Sequence, residues 1–263
     1  MRIAVLSDIH GNLPALQAVL DDVAREAVDA VVNLGDLLSG PLLPAETADF
    51  LMARDFVTIA GNHERQLLKA RSGTPDPATS DGFAATRIGD AHAEWVRSLP
   101  AQHWLADDVL LVHGSPGSDL EYWLETVTPG FGVNGFGGQR PATADEVRQR
   151  LHRSAEAPRA SLILCGHTHV PRAVQCGGTL IINPGSVGLQ AYEDEHPHRH
   201  RMEIGSPHAR YALVERAGAG WRVGLRSVPY DWDAAARLAA DHGRPDWAHA
   251  LATGRMPQPT IAP

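Results

Sequence analysis

Cysteine is scarce in this chain: Cys165 and Cys176 are the only two among 263 residues. A disulfide framework needs more, so a reducing, cytoplasmic compartment is expected. No apolar run approaches the ~20 residues needed to cross a bilayer. The opening "MRIAVLSDIHGN" also lacks the longer apolar region and cleavage site of a secretory signal. A soluble protein with no membrane partner is expected. A basic excess is missing too, since 31 Asp and Glu outnumber 23 Lys and Arg for a net charge of −8. That argues against a surface that coats extended nucleic acid. A small phosphate ester or nucleotide-like ligand remains compatible, because a local metal site can outweigh global charge. No internal repeat and no long polar linker interrupts the chain, so one domain over 1–263 is expected. The number of copies in the functional assembly is left open.

What is present is an ordinary globular composition, 43% apolar and 21% charged, long enough to bury a full core. "RIAVLSD" (2–8), "DAVVNLGD" (29–36) and "DFVTIAGN" (55–62) read as short buried strands. Between them "LPALQAVLDDVARE" (13–26), with Asn12 as N-cap and Pro14 in the first turn, and "PAETADFLMAR" (44–54) have helical spacing. Such alternation predicts crossover units and parallel strands. Residues 64–98 read as helical around a "GTPDPATSDG" loop (73–82), and "HWLADDVLLVHGSP" (103–116) as a hairpin. The Gly-rich "GFGVNGFGGQ" (130–139) reads as a mobile loop. A helix near 143–154 leads to the strand "ASLILCG" (160–166). Short strands follow at 172–176, 179–186, 209–216 and 220–230. Helices at about 231–254 pack on the domain before a frayed Pro-rich tail.

Five strand ends carry polar clusters: "SDIH" (7–10), "LGD" (34–36), "AGNHE" (60–64), "LVHG" (111–114) and "CGHTH" (165–169). The carboxyl ends of neighbouring parallel strands share one edge, where ligands usually bind. Singly, an Asp or His there is a turn or capping residue, and Asn62 a helix cap. Jointly, Asp8, His10, Asp36, Asn62, His63, His113, His167 and His169 are too many polar groups to bury unpaired at one edge. Divalent cations would neutralise the carboxylates and use the imidazole lone pairs. One ion takes about six ligands, so two are expected. Nitrogen and oxygen ligands without thiolate point to Mn²⁺ foremost, with Fe or Zn²⁺ as alternatives. Cys165 reads as a core residue.

The series "DIH", "GD", "GNHE", "HG", "GHTH" in this order resembles the calcineurin-like metallophosphoesterase superfamily, over residues 1 to about 190. "MRIAVLSDIHGNLPAL", "NPGSVG" (183–188) and the closing "VPYDWDAAARLAADHGRPDWAHALATG" resemble its small bacterial and archaeal phosphodiesterases and diadenosine-tetraphosphatase-like proteins. "GDLLSG" (35–40) lacks the arginine that the protein-phosphatase branch carries after its second Asp. The resemblance implies an α/β fold (α+β in some schemes), a four-layer β-sandwich of two mixed sheets flanked by helices, with the later short strands building the second sheet. It implies that Asp8, His10 and His169 bind one metal, that Asn62, His113 and His167 bind the other, and that Asp36 bridges both. His63 would be the catalytic general acid, with Glu64 either orienting it or lying outside the site.

The implied activity is metal-dependent hydrolysis of small phosphate esters, foremost diesters, by in-line attack of a hydroxide bridging two metals. A dinucleotide polyphosphate hydrolase or a nuclease on the same site is the alternative enzyme. A catalytically lapsed metal-binding scaffold is the alternative of another class. The stretch "LQAYEDEHPHRHRMEIGSPH" (189–208), with His196, His198, His200 and His208, stands where a short link is expected. Its alternating charges and Pro197 favour a solvated surface insertion over a third metal site or a substrate lid.

Overall fold

The apolar runs that end in polar clusters fold as strands whose alternate side chains face different cores. The structure is a computed structural model and describes residues 1–258. Along the chain, β1 (Arg2–Leu6), β2 (Ala30–Asn33) and β3 (Val57–Thr58) alternate with α1 (Leu13–Val23) and α2 (Pro44–Met52). Helices α3 (Asn62–Ser72), α4 (Ser80–Arg87) and α5 (Asp90–Ser98) precede the hairpin of β4 (Gln102–Ala106) and β5 (Val109–Val112). Then come β6 (Glu125–Val127), β7 (Gln139–Pro141), α6 (Ala144–Leu151), β8 (Leu162–Leu164), β9 (Arg172–Cys176) and β10 (Thr179–Asn183). The chain continues through β11 (Ala191–Asp194), β12 (His200–Glu203), β13 (Ala209–Ala217), β14 (Gly220–Val228), α7 (Trp232–Asp241) and α8 (Pro245–Thr253).

Two mixed sheets carry the fold, in the orders β14-β13-β1-β2-β3 and β4-β5-β8-β10-β9. Strands β1, β2 and β3 run parallel, as do β5, β8 and β10. Ile3, Val5, Val32 and Leu34 of the first sheet meet Val109, Leu111, Leu162 and Leu164 of the second in a core between them. The intervening residues face outward: Ala4 and Leu6 pack under α1 with Leu16 and Val19, while Leu110, Val112 and Ile163 pack against Val147 and Leu151 of α6. Helix, sheet, sheet and helix thus form four layers, as the resemblance implied. Asn12 caps α1 by accepting a hydrogen bond from the Ala15 amide at 3.2 Å. Cys165 lies in the outer core of the second sheet, and both cysteines are free thiols. Among the described residues no helix is long and apolar enough to cross a membrane.

Three expectations change. Strands β13 and β14 extend the first sheet rather than building the second, because β13 pairs antiparallel with the edge of β1 that β2 leaves open. The strand expected over 55–62 is only Val57–Thr58 long, because the Ala60 amide leaves the ladder for the Pro100 carbonyl at 2.8 Å. The segment expected to be a solvated insertion holds a two-stranded ribbon, β11 with β12, and His200 on it is fully buried. Helices α7 and α8 pack on each other and on this ribbon through Ala235, Ala239, Trp247, Leu251, Leu189 and Ala191. The fraying expected of the tail falls largely on 259–263, outside the described residues.

Leu164 is fully buried between the sheets. Replacing it in a Leu164→Ala variant should lower unfolding stability by about 2–5 kcal/mol, read from the urea midpoint at unchanged slope.

Candidate metal centre and its cleft

The strand ends deliver the candidate residues to one edge shared by both sheets. Asp8 and His10 follow β1, Asp36 follows β2, Asn62 and His63 open α3, His113 follows β5, and His167 and His169 follow β8. Candidate ligand atoms of Asp8, His10 and His169 lie within 4.8 Å of one another, as do those of Asp36, His113 and His167. Asn62 joins the second group, its Oδ1 3.1 Å from His113 Nε2. The His63 amide donates to Asp36 Oδ1 at 3.0 Å, which ties the start of α3 to the same group.

The donor set fits cations. His10 Nδ1 lies 2.8 Å from the Ser39 carbonyl, His113 Nδ1 2.7 Å from Leu34 and His169 Nδ1 2.6 Å from Leu189. A carbonyl can only accept, so each ring carries a proton on Nδ1 and turns Nε2 inward, the atom left to bind a cation when the ring is neutral. The His10 and His169 Nε2 atoms are 3.1 Å apart, and His169 Nε2 is 3.4 Å from Asp8 Oδ1. Both carboxylates are fully buried or nearly so, and among the described residues neither has a Lys or Arg partner. Burial opposes their charge, yet His169 holds the Asp8 carboxyl below its usual range, and His113 with His63 does so for Asp36. Burial and the nearby His169 push His10 down to about 4, and burial with His113 pushes His167 down to about 3. His113 goes the other way: burial resists its charge, but Asp36 and Asp8 raise it to about 10. The site calls for positive charge where carboxylate oxygens and lone pairs converge. Divalent cations meet that demand.

This geometry strains the backbone. Asp8, His10, Asp36, His167 and His169 all have φ between 53° and 69°, and Asn134 is the only other non-glycine residue in that region among those described. Each left-handed residue costs on the order of 1–3 kcal/mol and persists only where its surroundings enforce it. The enforcement is visible in the cross-links between loops. The Asp8 amide donates to the Gly35 carbonyl at 3.0 Å and His10 to Asp36 at 3.0 Å, while Ser186 Oγ donates to the Asp8 carbonyl at 2.7 Å. The two motif glycines make room for it. A Cβ on Gly61 would stand 2.3 Å from Asp36 Oδ1, and one on Gly166 would stand 1.9 Å from Ser7 Oγ.

Glu64 neither orients His63 nor lies outside. Its buried carboxylate accepts from the amides of Asp36 at 2.8 Å, Leu37 at 2.8 Å and Gly61 at 2.7 Å, clamping the loop after β2 to the start of α3. His63 is oriented instead by Asp81, a residue that sequence reasoning missed. His63 Nδ1 lies 2.8 Å from Asp81 Oδ1, which also accepts from Ser39 Oγ at 2.7 Å. Burial disfavours a charged His63, but the Asp36 carboxylate and the bond to Asp81 outweigh it and raise His63 to about 9. Asp81 sits eighteen residues downstream of His63. Nothing in the "SDG" it belongs to points toward it.

The edge opens into a cleft of about 1240 Å³. One wall is the ribbon that replaced the expected surface loop. Tyr192 packs its ring edge-on against His169 at 4.8 Å, and Tyr122 packs against His167 at 4.9 Å. The Tyr192 hydroxyl lies 2.8 Å from that of Tyr122, which in turn lies 2.9 Å from His200 Nε2. Because His200 Nδ1 donates to the His198 carbonyl at 2.8 Å, Nε2 accepts from Tyr122. His200 therefore anchors the ceiling of the site. His196 lines the cleft, and His208 lies outside it, hydrogen-bonded to Ser206. From α8, Trp247 sets its ring 5.9 Å from His10. The sequence signal available for these residues was only the unusual length of the link after "NPGSVG".

Comparison with known proteins agrees with this architecture. The family model of the calcineurin-like phosphoesterase superfamily domain matches residues 1–204. An uncharacterized protein of Methanocaldococcus jannaschii, MJ0912, is 24% identical over 258 residues, covering 93% of this chain and 94% of that protein. Phosphodiesterase YfcE of Escherichia coli is 25% identical over 194 residues, 72% of this chain and 80% of that one. Among solved structures, a metallophosphoesterase from Sphaerobacter thermophilus superposes with a TM-score of 0.70 at 25% identity, over 97% of this chain and 100% of the other.

Glu64 yields a direct test of the clamp. A Glu64→Gln variant presents an amide donor to one of three backbone donors and should lose about 1–3 kcal/mol of stability in denaturant titration with chelator present. An unchanged midpoint would show that the clamp is dispensable.

Proposed function

The chain belongs to the calcineurin-like phosphoesterase superfamily and is a hydrolase of phosphoric ester bonds, and on that premise we propose that it is a two-metal phosphodiesterase acting on small phosphate esters. The observation that carries this reading is the pair of carboxylate and imidazole groups converging on one edge of the cleft beside His63. Asp8, His10 and His169 would hold one cation, and Asn62, His113 and His167 the other, with Asp36 shared. Mn²⁺ suits these nitrogen and oxygen donors foremost, and Fe or Zn²⁺ also suits them. When bound, the cations supply charge neutralisation for the phosphoryl oxygens and lower the pKa of water.

The chain's own residues do the rest. The carbonyls of Ser39, Leu34 and Leu189 fix three rings in the tautomer that turns Nε2 inward. Asp81 holds the His63 ring by Nδ1, and His63 Nε2, which has no partner among the described residues, carries the proton that neutralises the leaving alkoxide. Glu64 keeps the Asp36 loop and the start of α3 in register with each other. Residues 1–263 are read as one phosphoesterase unit in which α8 and the ribbon complete the cleft. The two free thiols fit a reducing, cytoplasmic setting.

The test is hydrolysis of bis(p-nitrophenyl) phosphate and p-nitrophenyl phosphate, metal-free and with added Mn²⁺. Turnover should require the metal and favour the diester. A His63→Ala variant should lose about 10²–10⁴-fold in kcat at unchanged bound metal on a dialkyl phosphate, whose alkoxide needs the proton, and far less on the nitrophenyl esters, whose nitrophenolate leaves as the anion. Asp81→Asn should lose roughly tenfold or more on the same dialkyl phosphate by misorienting that ring. Metal-loaded protein that turns over neither ester would instead favour a non-catalytic scaffold.

A further inference from the structure

Outside the metal centre the cleft is lined by four guanidiniums, Arg150, Arg199, Arg201 and Arg244, and by five carboxylates, Glu121, Glu125, Glu193, Asp194 and Asp246. Every one of those guanidiniums is already engaged. Arg150 donates to the carbonyls of Trp123 at 2.7 Å and Glu125 at 3.0 Å and to Thr126 Oγ1 at 2.9 Å. Arg244 makes a two-point contact with Asp246, at 2.9 and 2.7 Å. Arg199 and Arg201 share Glu193, at 2.7 and 2.6 Å, with the Phe131 ring beneath both. No unengaged guanidinium therefore lines the cleft among the described residues, and the carboxylates Glu121 and Glu125 are themselves paired with Arg153 and Arg172.

Apart from a few polar groups such as Gln66, Ser80, Thr126 and His196, the rest of the lining is apolar and begins directly at the metal centre. Tyr192, Tyr122 and Trp247 set their rings against the candidate ligands His169, His167 and His10. Beyond them, Met256 lines one side, and Leu120 lines the cleft with 52% of its surface exposed. The cleft volume exceeds the ~300–1,000 Å³ of ordinary small-ligand pockets, so it has room for ester substituents as well as a phosphoryl group.

We infer that the cleft takes a phosphodiester whose single charge lies at the metal centre and whose second substituent is an uncharged, apolar alcohol. This rests on the phosphodiesterase reading and narrows it. A second charged group would have to compete with Glu193 and Asp246 for guanidiniums that already hold those carboxylates.

The experiment uses the Mn²⁺-loaded full chain and p-nitrophenyl phosphodiesters whose second alcohol is methyl, butyl, hexyl or 5-carboxypentyl. In each, water oxygen bonds to phosphorus, the bond to nitrophenol breaks, and nitrophenolate and an alkyl phosphate are released. The leaving group is constant, so the series reads the cleft. We expect kcat/KM to rise roughly two- to fourfold per methylene, and the carboxylate-ended ester to fall at least tenfold below hexyl. Leu120→Asp or Met256→Asp should cut the methyl-to-hexyl gain at least threefold, identifying the wall that seats the chain. A flat series, a carboxylate-ended ester equal to or better than hexyl, or a gain untouched by either variant would overturn the inference. No turnover of any ester, methyl included, would overturn the phosphodiesterase reading itself.

Discussion

The interaction on which the rest of the structure depends is the forced meeting of acceptor atoms at one point. Asp8 and Asp36 are buried beside imidazoles whose Nδ1 protons are committed to backbone carbonyls, so carboxylate oxygens and ring Nε2 atoms crowd together at about 3 Å. With neither a proton nor a cation between them such groups repel. They can be held only by a scaffold stiff enough to deny them relaxation, and they turn from a liability into a binding site once cations neutralise them.

The sandwich supplies that stiffness. Parallel strands from both sheets end at the same edge, and the core between the sheets keeps those ends in fixed register. The loops that follow are pinned to each other rather than to solvent: Asp8 to Gly35, His10 to Asp36, Ser186 to Asp8, and the Glu64 carboxylate to three amides. Five left-handed residues at this edge, at 1–3 kcal/mol each, represent strain comparable with the ~5–15 kcal/mol net stability of a typical domain. Strain of that magnitude is borne where the polar clusters directly follow buried strands, in loops cross-linked to one another.

Around this rigid floor the walls divide into two kinds of surface. Arg199, Arg201 and Arg244 are tied to Glu193 and Asp246 where they stand and so brace the walls of the cleft. The aromatic rings of Tyr122, Tyr192 and Trp247 pack on the backs of the candidate ligands and present apolar surface beyond them. The ribbon and α8, from the part of the chain least informative to read, thereby decide what may approach the centre.

The residues that gather at this edge were legible because they stand directly after particular strands: "DIH", "GD", "GNHE", "HG" and "GHTH" each follow an apolar run, and strand ends are readable from local pattern. The four layers were legible only through resemblance, and even so β13 and β14 went to the other sheet, because which edge a strand joins depends on the edges left free. Asp81 as the partner of His63, Glu64 as a backbone clamp and the Tyr192–Tyr122–His200 chain were not legible. Each joins residues through space by the orientation of one side chain, and neither period nor spacing encodes that. By itself the sequence determined the kinds of groups and the strand ends that carry them. Tertiary structure alone decided their tautomers, their partners and the walls of the cleft, since those follow from packing between segments far apart in the chain.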